Sequence, residues 1–521
     1  MPNEDQTTTP QPLLPVPESF QKIQHFVVLM LENRSFDHLF GALSNVDPRV
    51  AGLTGNESNY DVPNAPQPTQ ERKVYPADRF DMPFDPPHEF PDVQFQLYGP
   101  VKGNPNQPNQ PTFPAPMNGF VFRTLAAVPN PYAEDAVRVM SYFQPEQIPV
   151  LKTLAQQFAL FNAWHSSLPG PTWPNRFFVH AATSGGLNCS PSDEQIITGF
   201  SFKYGTIYDR LGDATNAWHI YHDGLPQSIG IGDLRWNFLK QQANPFSSNF
   251  RPMDEFETDI AVGDLAPYTF IEPNYDTGHN YSGGNSMHPL NDIRNGEALV
   301  KRVYEAIRKS QFWDKTMLII TFDEHGGFYD HISPPATVAT GDDHRYANAD
   351  FPFAFDRLGI RVPALVISAY TQAGTVIGTE GDPNCFDHSS ILATLEKRFN
   401  LSPLTQRDAK ARTLEVALNL PDARSTPEDA PMDLPGPAFD AGAPVPTIAA
   451  QALTSAARDQ APLSDNQKSF LALALACDLE VSELAQHADL RAQYANITTQ
   501  QQAADYISGV VQKIRPAQPP V

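Results

Sequence analysis

In "QHFVVLMLENRSFDHLFG" (residues 24–41) Phe26 to Leu31 form an unbroken apolar run, the pattern of a strand buried on both faces. Comparable runs follow in "NAWHIY" (216–221), "PYTFIEP" (267–273), "TMLIITF" (316–322) and "VPALVIS" (362–368). Between them the apolar period changes. Ile148, Leu151, Leu154 and Phe158 fall at helical spacing in "FQPEQIPVLKTLAQQFALF", and "NGEALVKRVYEAIRKS" and "SSILATLEKRF" also read as helices. Strands alternating with helices predict an α/β fold, a mostly parallel central sheet with helices on both faces. In open sheets of that kind, sites form beyond the carboxyl ends of the strands.

The pattern breaks in two places. Residues 44–135 are rich in Pro, Asn and Gln with little periodicity, a long insertion of the functional or disordered kind. An irregular, acidic, Pro-rich connector follows at about 420–447, and helical patterns then start near Ser464 and near Thr498 or Thr499, each a suitable N-cap. The expected organisation is a catalytic domain over 1–420 and a connector with a helical extension over 421–521.

The formal net charge of −23 argues against sequence-independent nucleic-acid binding and against electrostatic adhesion to an anionic bilayer. Zwitterionic lipid and small phosphorylated substrates stay open, because a bound metal reverses the local field. Cys189, Cys385 and Cys477 form no CxxC pair, which gives no sign of a disulfide framework or thiolate zinc site. With 51 prolines in 521 residues, about twice the usual ~5%, stiff ordered loops are expected. No apolar run approaches the ~20 residues of a membrane span. "MPNEDQTTTPQPLLPVPESF" lacks the basic and apolar regions of a Sec-type signal peptide.

Candidate chemistry sits at the strand tips. The first run ends in Glu32 and Asn33, and the run at 316–322 ends in Asp323 and Glu324. Alone, the first tip reads as a solvated turn with Asn33 or Ser35 capping a helix. Together, as neighbouring strands, the tips would gather four hard ligands, and carboxylates that close call for a divalent cation. Gly326 and Gly327 would let the chain turn away sharply. Thr172, in "LPGPTWPNRFF", precedes Pro174, which suits a first helical turn; its hydroxyl is then a candidate nucleophile near a helix N-terminus, or simply a cap. His88, His222 and His288 fall in loops or beyond strand ends, placed to hold phosphoryl oxygens and protonate a leaving alkoxide. His325, His331 and His388, in Asp-rich turns, are given structural roles.

"LMLENRSFDHLFG", "DPPHEF", "PGPTWPNRFFVHAATSGG", "TFDEHGGFYDHISPP" and "FDHSSILATLEKRF" resemble the phosphoesterase family that joins non-specific phospholipases C and bacterial acid phosphatases. The resemblance runs from about residue 22 to 400 and implies an alkaline-phosphatase-like fold. It implies Glu32, Asn33, Thr172, Asp323 and Glu324 as metal ligands, Thr172 as nucleophile, and His88, His222 and His288 as phosphate contacts. The metal would be Ca²⁺, Mg²⁺, Mn²⁺ or Zn²⁺. Thr rather than Ser at the nucleophile position, with "MNGFVF" and "HAATSGG", leans to the phospholipase C branch; Leu290 departs from it, since a second proline commonly follows "HP". The expected reaction cleaves a phospholipid through a phosphothreonine, releasing diacylglycerol and a phosphorylated headgroup. Two alternatives remain: an acid phosphatase acting on small monoesters, and a metal-stabilised binding protein with a degenerate site. Family resemblance implies a secreted or periplasmic place, with the cytoplasm or a non-Sec export route left open, and transient contact with a membrane surface. Phe80, Met82, Phe84 and Phe90, flanking "DPPHEF", are expected either to wall an apolar mouth or to form a buried loop core.

Overall fold

The computed structural model describes residues 16–514 apart from 63–69, 129–132, 213, 215, 241–247, 277–280, 282, 383, 440–462 and 464. Most of the N-terminal stretch read for a signal, the end of the Pro-rich connector and the Ser464 cap lie outside the described residues. Eight strands make the central sheet: β1 (His25–Leu31), β2 (Ala159–Phe161), β3 (Trp218–His222), β4 (Phe250–Pro252), β5 (Tyr268–Ile271), β6 (Thr316–Phe322), β7 (Ala364–Ser368) and β8 (Thr375–Ile377). Their spatial order is β4–β3–β5–β1–β6–β7–β2–β8. All neighbours are parallel except β7, which runs antiparallel to both β6 and β2.

Flanking helices include α1 (Phe36–Phe40), α2 (Phe90–Tyr98), α3 (Pro149–Gln157), α4 (Thr172–Ala181), α5 (Asp193–Thr198), α6 (Gly232–Lys240), α7 (Ile293–Arg308), α8 (Ser389–Phe399), α9 (Asp465–Val481) and α10 (Gln500–Ile514). The five apolar runs are all strands. β2, β4 and β8 escape the periodicity because three residues are too few to show one. Phe158 does not continue a helix as its spacing suggested: it caps α3, and the next three residues enter the sheet. β6 is buried along its whole length and β1 at all but His25, which explains their lack of alternation.

The Pro-rich insertion is not structureless. It holds short strand pairs and α2, over a small core that includes Val93, Leu97, Phe120 and Val121. At the other end of the chain, Phe470, Leu471, Leu473 and Leu475 of α9 join the main core, and α9 packs on α5, α6 and α10. All three cysteines are free.

Candidate active site

β1 and β6 pair with Leu31 opposite Phe322, so Glu32 and Asp323 leave the sheet side by side. Asn33 then turns in the left-handed region at φ 53°, a conformation Asn tolerates better than most residues. Its N–H donates to Asp323 Oδ1 at 3.0 Å, and the Glu324 N–H donates to the same oxygen at 2.7 Å. Asp323 Oδ2 accepts from Arg176 Nε at 2.9 Å. Arg176 also donates to the Met30 and Leu31 carbonyls at 3.3 and 3.4 Å, so one buried guanidinium from α4 stitches the helix to both tips. Gly326 passes so close that a Cβ there would lie 2.1 Å from the Asn33 carbonyl oxygen, at a φ of +63°.

Thr172 is the first residue of α4, after Pro171, which occupies the N-cap position. Its Oγ1 accepts from Asn33 Nδ2 at 3.2 Å. The preceding loop is held by Asn175, whose side chain bonds the Leu168 N–H and the Leu168, Gly170 and Pro171 carbonyls. Thr172 is therefore placed from both sides.

His88 Nε2 lies 3.4 Å from Asn33 Nδ2 and 3.8 Å from Glu324 Oε1. Burial works against its charge, but Glu324 and Asp85 outweigh that and raise it to about 10. His288 Nδ1 accepts the Leu290 N–H at 3.2 Å, which leaves the proton on Nε2, 3.5 Å from Asp85 Oδ2. The residue that departs from the family pattern thus supplies an N–H that proline would lack. Asp85, its side chain 41% exposed, stands between the two imidazoles, 3.9 Å from His88 Nδ1. Desolvation raises its carboxyl, but His288 and His88 more than offset that and hold it below its usual range.

Glu32 Oε2 and Glu324 Oε1 are buried with no hydrogen-bond partner among the described residues. Burial also pushes the Glu32 carboxyl up. Orphaned carboxylate oxygens beside an amide and a hydroxyl suit a hard divalent cation, so the donor set fits the expected metal. A second group, Asp37, Asp330 and His331, brings ligand atoms within 4.8 Å of one another. There Arg361 already supplies the cation, bonding Asp37 Oδ1 at 2.9 Å and Asp330 Oδ2 at 3.1 Å.

His222 ends β3, two strands out from β1. Its ring meets Phe238 and Phe250 edge-on and its Nδ1 faces the Gly224 carbonyl at 2.8 Å. None of these contacts is with the Thr172 cluster. His325 joins Glu324 to Gln96, His331 bonds Asp37, and His388 reaches the Asp323 carbonyl at 2.7 Å. Phe80, Met82, Phe84 and Phe90 are buried, Phe80 in the main core, Met82 and Phe84 against Phe328 and Phe90 against Phe353, so they do not wall an open apolar mouth. Asp85, Arg176 and Glu272 went unassigned in the sequence. Arg176 carried a signal, since it lies one helical turn after Thr172. Glu272 repeats the motif, a carboxylate directly after β5, and accepts the Gln227 and Ser228 N–H groups at 2.8 Å each.

Residues 23–402 match the model of the phosphoesterase family. The chain belongs to that family. Non-specific phospholipase C6 of Arabidopsis thaliana is 41% identical, over 79% of this chain and 75% of its own. The non-hemolytic phospholipase C of Burkholderia pseudomallei is 28% identical over 73% of this chain and 56% of its own. A solved phosphonate monoester hydrolase of Agrobacterium radiobacter superposes with a TM-score of 0.28 at 12% identity, covering 52% of this chain and 72% of that one, too distant to bear on function. This phosphoesterase is a hydrolase of phosphoric esters, with its polar cluster at the carboxyl edge of the sheet.

Proposed function

We propose that the protein is a phospholipase C, cleaving the phosphodiester of a phospholipid on the diacylglycerol side. The observation that carries the reading is the Thr172 hydroxyl. It is held by the Asn33 amide, which also faces His88, in a chain similar to named phospholipases C. Thr172 Oγ1 gives up its proton to solvent and attacks phosphorus, the diacylglycerol oxygen leaves with a proton from His88, and water, returning a proton to His88, then cleaves the phosphothreonine. Glu32, Asn33, Asp323, Glu324 and Thr172 would hold a divalent cation, which supplies charge for the phosphoryl oxygens and lowers the hydroxyl pKa. Asn33 orients the nucleophile, Arg176 fixes Asp323, and Asp85 orients both imidazoles.

Side-by-side assay of a chromogenic phosphorylcholine diester, a chromogenic phosphate monoester and phosphatidylcholine vesicles tests the reading. Efficient cleavage of the diester and the vesicles is expected. Preference for the monoester with no release of diacylglycerol would make the protein a phosphatase.

A further inference from the structure

Tyr281 has no place in the chemistry described so far, yet its surroundings single it out. It lies in the loop between β5 and α7, is 1% exposed, and adopts the left-handed conformation at φ 67°, costly for an aromatic residue. The loop is built to hold that conformation. The Tyr281 N–H donates to the Asp276 carbonyl at 3.0 Å, and its own carbonyl accepts from Gly284 N–H and from the Asn291 amide. Asn291 in turn accepts from the Ser286 hydroxyl at 2.6 Å and donates its N–H to the His288 carbonyl at 2.7 Å. Asn291 therefore ties Tyr281 and His288 into one unit, the first through its side chain and the second through its backbone N–H.

Two features face the site. The Tyr281 ring lies flat on the His288 imidazole, with centroids 3.8 Å apart and planes 6° from parallel. Its hydroxyl is buried and has no hydrogen-bond partner among the described residues. The charged groups that act on that hydroxyl include Glu32, Asp85 and Asp323, the carboxylates of the site itself. A phenol hydroxyl can donate one hydrogen bond. A buried donor left unpaired costs stability, and such a group is retained where a ligand completes it.

We infer that Tyr281 is a substrate-binding residue: its hydroxyl donates a hydrogen bond to a phosphoryl oxygen of the ester while its ring fixes the plane of His288. The inference rests on the hydrolase reading above, since it names a further contact in the same site. A phosphoryl oxygen is the acceptor the surroundings favour. It is the one strong acceptor that Thr172, His88 and His288 are arranged to receive, and the carboxylates nearby would repel an anion without donors to offset them.

Tyr281→Phe keeps the ring and its stacking and removes only the donor. In the full-length protein as purified, kcat/KM for the chromogenic phosphorylcholine diester is expected to fall by roughly 100-fold, the loss typical of one preorganised donor. Calorimetric titration with inorganic phosphate should show weakened binding, with metal content by mass spectrometry and melting temperature unchanged. Tyr281→His, a residue that accepts the left-handed conformation better than most and restores a ring donor, should recover part of the phosphate affinity. Wild-type kinetics together with wild-type phosphate affinity in Tyr281→Phe would overturn the inference. So would a loss of bound metal, which would put the hydroxyl in the metal's own shell. Were the wild-type protein inactive on every diester, the phospholipase reading would fall, while the phosphate titration would still decide Tyr281.

Discussion

The Thr172 hydroxyl and the Glu32 carboxylate pose opposite problems at the scale of single residues. Thr172 is a weak nucleophile whose value lies in where Asn33 holds it, so its removal should erase chemistry and leave packing alone. Thr172→Ala is expected to abolish turnover with an unchanged melting temperature, and Thr172→Ser to retain measurable activity; acid-quenched protein should carry covalent phosphate in the wild-type and serine forms and none in the alanine form. Glu32 is a buried charge with an orphaned oxygen, destabilising unless a cation completes it. Glu32→Gln should therefore lower metal content and activity together, while the metal-free variant melts no lower than metal-free wild type. Full metal retention by Glu32→Gln would remove Glu32 from the ligand set. Both residues were legible before the fold, Glu32 because an apolar run that ends in a polar pair is visible as text, and Thr172 because Pro174 marks a first helical turn just after it. Asp85 and Tyr281 were not, since their meaning lies in contacts with residues on other elements.

Among the elements, the turn after β6 and the start of α3 depend on features that local propensity does not show. Gly326 combines a φ of +63° with a Cβ position 2.1 Å from the Asn33 carbonyl oxygen, so Gly326→Ala meets both backbone strain and a clash with backbone. It should cost on the order of 2–4 kcal/mol and displace Asn33, which denaturant unfolding and loss of activity would both register. The N-terminus of α3 lacks a side-chain cap from its own N-cap residue, Ile148. Glu297 of α7 supplies one, accepting from Val150 and Leu151 N–H at 3.2 and 2.8 Å. Burial raises Glu297 from its ordinary 4.5 to about 8, despite those two bonds. Between those values the folded protein keeps a proton that the unfolded chain has released, so this group's contribution to stability declines as pH rises from about 4.5 to 8. Glu297→Gln should remove that slope. Denaturation midpoints of the two proteins should converge at low pH and shift in the variant's favour toward pH 8; parallel curves would deny the group its role. The periodicity of α7 and α3 was plain in the sequence, but the capping link between them joins residues far apart in the chain.

On the scale of the whole molecule, the C-terminal helices share the main core with the sheet. Phe470 of α9 packs on Tyr275 with ring centroids 5.1 Å apart, and the Arg176 guanidinium lies 5.3 Å from the same tyrosine ring. Arg235 of α6, itself buried, pairs with Glu480 at 2.7 Å. Phe470→Ala should cost about 3–5 kcal/mol, as other Phe truncations in packed cores do, and should loosen Arg176 enough to lower activity below the melting transition. A melting curve and an activity profile that changed independently would separate α9 from the site. The sequence by itself determined the long buried strands, the parallel α/β class, the family and the residues at the two strand tips, because burial on both faces and abrupt polar ends are written in consecutive positions. Only the tertiary structure decided that β7 runs backwards, that Phe80, Met82, Phe84 and Phe90 are buried, that the strand carrying His222 stands two places from β1, and that Tyr281 lies on His288. Strand order, loop path and ring stacking arise from contacts between distant segments, and a local pattern of apolar and polar residues does not encode which distant segment will meet it.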